Sequence, residues 1–172
     1  MNALPNNNTI KKAAASYGLI LGVVTIAYSI LMLFAGFTNS TFTFWGYQVL
    51  MAVSIAYAIK KYKEEINEGY ISYGQALKFG IFLSLFSGII QGFYVYIYYS
   101  YLAPEEMTVM VHGMQDVLIN MGKSDQEVEI ASSMMSPSYY AFVIIIKEII
   151  KGFFFSLIIA GFLKKDKSIF ED

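Results

Sequence analysis

Long apolar runs alternate with short polar links along this chain, and the runs have membrane length. They cover Ala13 to Phe37, Phe42 to Ile59, Tyr73 to Tyr101 and Tyr139 to Leu163. A helix rises about 1.5 Å per residue, so roughly twenty apolar residues cross a hydrocarbon core of about 30 Å. Backbone polar groups inside a bilayer must be satisfied within the segment, which selects helices. The pattern predicts an all-α fold, an integral membrane bundle of four transmembrane helices forming a single domain over residues 1–172. Between the third and fourth runs, Pro104 to Pro137 is hydrophilic, yet Met107, Met110, Val111, Met114, Leu118 and Met121 recur at spacings of three and four. Pro104 suits a first helical position, with Glu105 and Glu106 at the positive end of the helix dipole. Gly122 is a natural stop, Ser124 with Glu127 reads as a capping box, and Val128, Ala131 and Met135 line a second short helix. This segment is predicted to be an extracytoplasmic amphipathic helical hairpin between helices three and four, lying on the outer membrane surface.

Small residues recur every four positions on three of the long runs. The first has Ala14, Gly18 and Gly22; the third has Ala76, Gly80, Ser84, Gly88 and Gly92; the fourth has Gly152, Ser156 and Ala160. Such rows let helix backbones approach closely. Ser87 and Gln91 fall on the same arc as the third row, so the face that permits close approach is also polar. The fourth run carries Lys147, Glu148 and Lys151 near its middle. A charge at the centre of a membrane helix costs about 2.5–3.5 kcal/mol, while each large apolar residue returns only about 0.3–0.6 kcal/mol. This helix is therefore marginal by itself and needs partners. Helix three is expected to supply them, with Gln91 a near neighbour of Glu148, Ser84 and Ser87 below, Tyr94 above, and Glu148–Lys151 the compensating pair. Lys147 is expected to snorkel outward. Gly80, Gly88, Gly92, Gly152 and Ser156 are the expected packing positions.

Composition agrees with the membrane class: 56% of residues are hydrophobic and the mean hydropathy is +0.52. The net charge is −1, and every one of the 12 basic residues is Lys, so nothing resembles a nucleic-acid surface. With no cysteine there is no disulfide, thiol nucleophile or thiolate metal site. His112, the single histidine, reads as a surface residue, so no metal or cofactor is expected. Met1 to Asn8 reads as a polar tail. The first run is too long for a cleaved signal peptide and is expected to be retained. Lys11 and Lys12, then Lys60, Lys61 and Lys63, then Lys164, Lys165 and Lys167 fall on one side of a four-span arrangement, whereas the long loop opposite contains only Lys123. The positive-inside bias predicts both termini in the cytoplasm, with the hairpin outside. Trp45 and Tyr47, and the run from Tyr94 through Tyr96, Tyr98 and Tyr99 to Tyr101, read as interfacial aromatic belts.

The stretch GYISYGQALKFG, Gly69 to Gly80, and the later IYYSYLAP, Ile97 to Pro104, resemble the bacterial membrane family catalogued as domain of unknown function 4199. The four-span layout with a long helical outer loop is similar to it as well. The resemblance implies an inner-membrane protein of Bacteroidetes-type bacteria and transfers no functional residues. Taken with the residues, it points to a structural or partner- or lipid-binding membrane component with a buried Glu–Lys pair. The alternative is a small ion- or proton-coupled transporter or channel using Glu148 and Lys151, acting as a homo-oligomer through the glycines of helix one. An enzyme ranks last, because no nucleophile–base pair, histidine cluster or phosphate-cradling loop is present.

Overall fold

The computed structural model describes residues 7–37 and 40–165 of the chain. The expectations for Met1 to Asn6 and for Lys167 lie outside the described residues. Among the described residues six α-helices follow in order: α1 Asn7–Phe34, α2 Thr41–Lys61, α3 Tyr73–Ile97, α4 Pro104–Asn120, α5 Asp125–Met134 and α6 Pro137–Leu163. Among the described residues there is no strand, only an isolated bridge between Ile71 and Lys165.

Local chemistry sets the helix ends. Ser40, Ser72, Ser124 and Ser136 each accept a hydrogen bond from the backbone N–H three residues on, starting α2, α3, α5 and α6. At Ser72 and Ser124 the partner side chains, Gln75 and Glu127, return the bond and complete a capping box. Helix α1 stops at Gly36 and α4 at Gly122, both with positive φ. In each case the two N–H groups at the end fold back on the carbonyls of the last turn: Gly36 on Leu33 and Phe37 on Met32, Gly122 on Ile119 and Lys123 on Leu118.

Several boundaries differ from the sequence expectation. Helix α1 begins at Asn7, so the last two residues of the expected tail are helical. Helix α3 leaves the α-form at Ile97, and Tyr98–Leu102 winds as a π-helical turn closed by Ala103 N donating to Tyr98 O at 2.8 Å. The cause is Pro104. The residue before a proline is driven out of the α region, and Ala103 adopts φ −143°, so the chain breaks there and α4 restarts at Pro104. A second π-turn, Tyr62–Ile66, extends α2.

Among the described residues, three stretches are long and apolar enough to cross a membrane: Asn8–Phe34, Thr41–Ile66 and Tyr73–Leu102. Helix α6 has 27 residues, comparable in length, but Lys147, Glu148 and Lys151 interrupt its apolar run. Helix α3 packs extensively along both α6 and α1, while α2 lies more lightly across α6 and α1. Met51, Ile55, Ile59 and Tyr62 of the second helical stretch meet Phe79 and Leu83 of α3 and Ala14 and Leu21 of α1 in the core. The tight face of α1 is spent inside the chain. A Cβ at Gly18 would come within 2.8 Å of Phe86 Cβ, and one at Gly22 within 2.8 Å of Ile90 Cβ. The expectation that these glycines join two copies is thereby corrected: α3 occupies their groove.

At the lysine-rich end, Ile71 and Lys165 exchange two backbone hydrogen bonds of 2.9 Å, and Lys63 Nζ donates to Leu163 O at 3.0 Å. These bonds tie the α2–α3 connection to the end of α6 and satisfy a terminal carbonyl. At the other end α4 and α5 pair through Gln115 Nε2 and Ser132 Oγ, 2.9 Å apart. Tyr98 OH donates to Glu106 Oε1, also at 2.9 Å, and links α4 to the π-turn. Of the expected methionine stripe, Met107 is buried whereas Met121 is exposed, as are Val109, Ile130 and Met134.

Candidate polar site at the α3–α6 seam

Helices α3 and α6 run antiparallel in a register where each four-residue step along one is matched by a four-residue step back along the other. Gly88 lies against Glu148, Gly152 against Ser84, and Gly80 against Ser156. Gly92 meets Ile145. Every polar side chain in this row therefore faces a glycine, which lets it sit between the helices without pushing them apart. Ala76 and Ala160 continue the two rows and are fully buried.

Glu148 is 3% exposed and Gln91 9% exposed, burial unusual for an acid and an amide. Lys151 Nζ makes an ion pair with Glu148 Oε1 one helical turn away. The same ammonium lies over the Tyr47 ring, 4.4 Å from its centroid, a cation–π contact. Tyr47 OH donates to Gln91 Oε1 at 2.8 Å, and Gln91 Nε2 donates to Ser87 Oγ at 3.1 Å. A chain of contacts thus runs from Lys151 through Tyr47 and Gln91 to Ser87 and joins α6, α2 and α3. Lys147 is exposed. Tyr94 is half-buried on the same side.

These groups form the floor of a cleft of about 550 Å³ between α1, α2, α3 and α6. Gln91, Tyr94, Lys147, Glu148 and Lys151 line it, with Ser29 from α1 and Tyr47 and Gln48 from α2. Ser84, Ser87 and Ser156 lie beyond the floor, within the seam. Four buried side-chain oxygens have no hydrogen-bond partner among the described residues: Glu148 Oε2, Ser84 Oγ, Ser156 Oγ and Tyr62 OH. Chemically, the cleft offers ammonium donors and, beneath its surface and within one turn of helix, a buried carboxylate oxygen without a partner.

Residues 16–165 match the model of a family described as Protein of unknown function (DUF4199). The chain belongs to the DUF4199 family. No curated protein and no solved structure matches it. The matched part of this DUF4199 protein reaches from Ser16 in α1 to Lys165 beyond α6, and so contains the whole seam and cleft.

Sequence reasoning placed Tyr47 in an interfacial belt with Trp45. In this DUF4199 chain Trp45 points outward, 61% exposed, whereas Tyr47 turns inward to the polar floor. The signal was present. Tyr47 begins a row with Met51, Ile55, Ala58 and Tyr62, the buried face of its helix. An aromatic residue near a helix end satisfies the belt rule on any face, and that rule alone misassigned it.

Proposed function

We propose that this DUF4199 protein is a four-span inner-membrane component, with α6 as the fourth span and the α4–α5 hairpin on the extracytoplasmic side. In this reading it is not an enzyme. It binds a lipid or a membrane partner at the polar cleft, and the Glu148–Lys151 pair holds α6 in a four-helix bundle. The carrying observation is the cleft itself, whose floor is an ion pair between a half-buried lysine and a buried glutamate, with Glu148 Oε2 unpartnered. Internal pairing and the glycine-lined surface of α3 offset the charges that make α6 marginal. The orientation draws support from the lysines, since Lys63, bonded to Leu163 O, and Lys165, bridged to Ile71, lie at the same end.

Membrane levels test the pairing. Glu148→Gln and Lys151→Met singly lower the amount of protein in the membrane, and Glu148→Gln/Lys151→Met together largely restore it. Normal levels for both single variants would overturn the role of the pair. Single cysteines test orientation, because the chain has no cysteine of its own. A membrane-impermeant maleimide labels Glu129→Cys in intact spheroplasts and spares Glu64→Cys; the reverse pattern would overturn the topology.

One observation favours a second reading, a small ion- or proton-coupled transporter. Glu148 Oε2, Ser84 Oγ, Ser156 Oγ and Tyr62 OH form a succession of buried, unpartnered oxygens from the cleft toward the lysine-rich end. That reading requires Glu148→Gln to abolish flux in proteoliposomes while leaving membrane levels unchanged.

A further inference from the structure

The cleft ends on charges of both signs, and both have bonding capacity to spare. Lys147 stands exposed at the rim and makes no ion pair among the described residues. Lys151, one turn further along the same face, is shared between Glu148 and the Tyr47 ring. Glu148 Oε2 has no hydrogen-bond partner, although only 4% of its side chain is exposed. Two lysines against one glutamate leave one positive charge over. Phe44, Val95 and Ile144 add apolar wall.

We propose that this cleft binds an amphiphile whose phosphodiester sits between Lys147 and Lys151 and whose headgroup donates a hydrogen bond, from a hydroxyl or an ammonium, to Glu148 Oε2. The proposal rests on the binding reading above and names its ligand. A phosphodiester carries a single negative charge, which matches the surplus; a phosphate monoester carries up to about two. The lysine ammonium is a compact point charge suited to a phosphate oxygen. A phosphate without a neighbouring donor leaves the buried, unpartnered Glu148 oxygen beside an anion, so the headgroup must supply one. The cleft volume of about 550 Å³ accommodates a headgroup and the first part of its chains, within the roughly 300–1,000 Å³ of small-molecule sites. A bilayer phospholipid and a soluble glycerophosphodiester share this chemistry.

The test uses the full chain in maltoside micelles, with native mass spectrometry of bound lipid. Dioleoylphosphatidylglycerol and dioleoylphosphatidylethanolamine should each exceed dioleoylphosphatidylcholine, which has no headgroup donor, by about tenfold in occupancy. Lys147→Met lies at the rim, outside the packed seam, and should lower both preferred adducts by about tenfold at an unchanged melting temperature. Equal occupancy of the three lipids, or unaltered binding by Lys147→Met, would overturn the assignment. Competition by millimolar glycerophosphoglycerol supports the site with a soluble ester as its source; lack of competition supports it with a membrane lipid as its source. An unselective protein that still shows the paired rescue in membrane level loses the ligand and keeps the membrane-component reading. A selective protein without that rescue does the opposite.

Discussion

Gly88 and Glu148 face each other across the α3–α6 seam so closely that a methyl group at position 88 would stand 3.1 Å from Glu148 Cβ and 3.3 Å from Ile145 Cα. The acid can be buried because its neighbour on α3 has no side chain. The same logic repeats one turn along, where Ser84 takes the space left by Gly152.

Gly152→Ala is expected to lower stability by about 1–3 kcal/mol, the usual penalty for overpacking a well-filled interior. Exchanging the layer, Ser84→Gly with Gly152→Ser, should recover most of the loss. Gly161→Ala, on the same helix with open space around it, should be neutral or gain up to about 1 kcal/mol in helix propensity. Thermal unfolding in a single detergent compares all three, and equal effects at positions 152 and 161 would contradict the packing account.

Breaking the ion pair should be asymmetric. Lys151→Met strands a carboxylate that is 4% exposed, whereas Glu148→Gln leaves an ammonium 28% exposed at the cleft and still over the Tyr47 ring. The lysine substitution should therefore cost more, toward the upper part of the roughly 3–5 kcal/mol seen when one partner of a buried pair is removed. Urea or heat unfolding of both variants decides the order.

Tyr47→Phe removes the donor to Gln91 Oε1 and keeps the ring beneath Lys151. It should cost about 1–3 kcal/mol for the acceptor left unsatisfied. Tyr47→Leu also loses the cation–π contact and should cost about 0.5–2 kcal/mol more. Trp45→Leu, on the outer face of α2, should have a much smaller effect on the melting temperature.

Acid should loosen the start of α5. The Ser124 backbone N–H, Lys123 and the Ser124 hydroxyl hold the Glu127 carboxyl down at about 2 from an ordinary 4.5. A folded-state value below the unfolded one means that the contribution is fully present above about pH 4.5 and lost as pH falls toward 2. Carbon-13 NMR of the Glu127 carboxyl in the full chain should show a midpoint near 2, and Ser124→Ala should move it upward. A midpoint at the ordinary value would remove the capping box from the account.

Much of this architecture is local and was legible before any coordinates. The cap at Ser124, the helix start at Pro104 and the stop at Gly122 are written in short-range chemistry that acts on whatever segment carries it, as is the cap at Ser72, which the reading of the sequence passed over. The small residues at intervals of four on α1, α3 and α6 were visible for the same reason, as were the three charges that set α6 apart. A row of small residues says that something comes close without saying what. In a chain whose long helices are apolar on nearly every side, periodicity does not separate a face toward lipid from a face toward protein.

Only tertiary contact decided those pairings. It gave Gly18 and Gly22 to α3 instead of a second copy, set Gly88 against Glu148, and turned Tyr47 from a belt position into the link between Lys151 and Gln91. The physical reason is that helix formation depends on neighbours in sequence, whereas burying an ion pair depends on which two surfaces approach closely enough to replace its water.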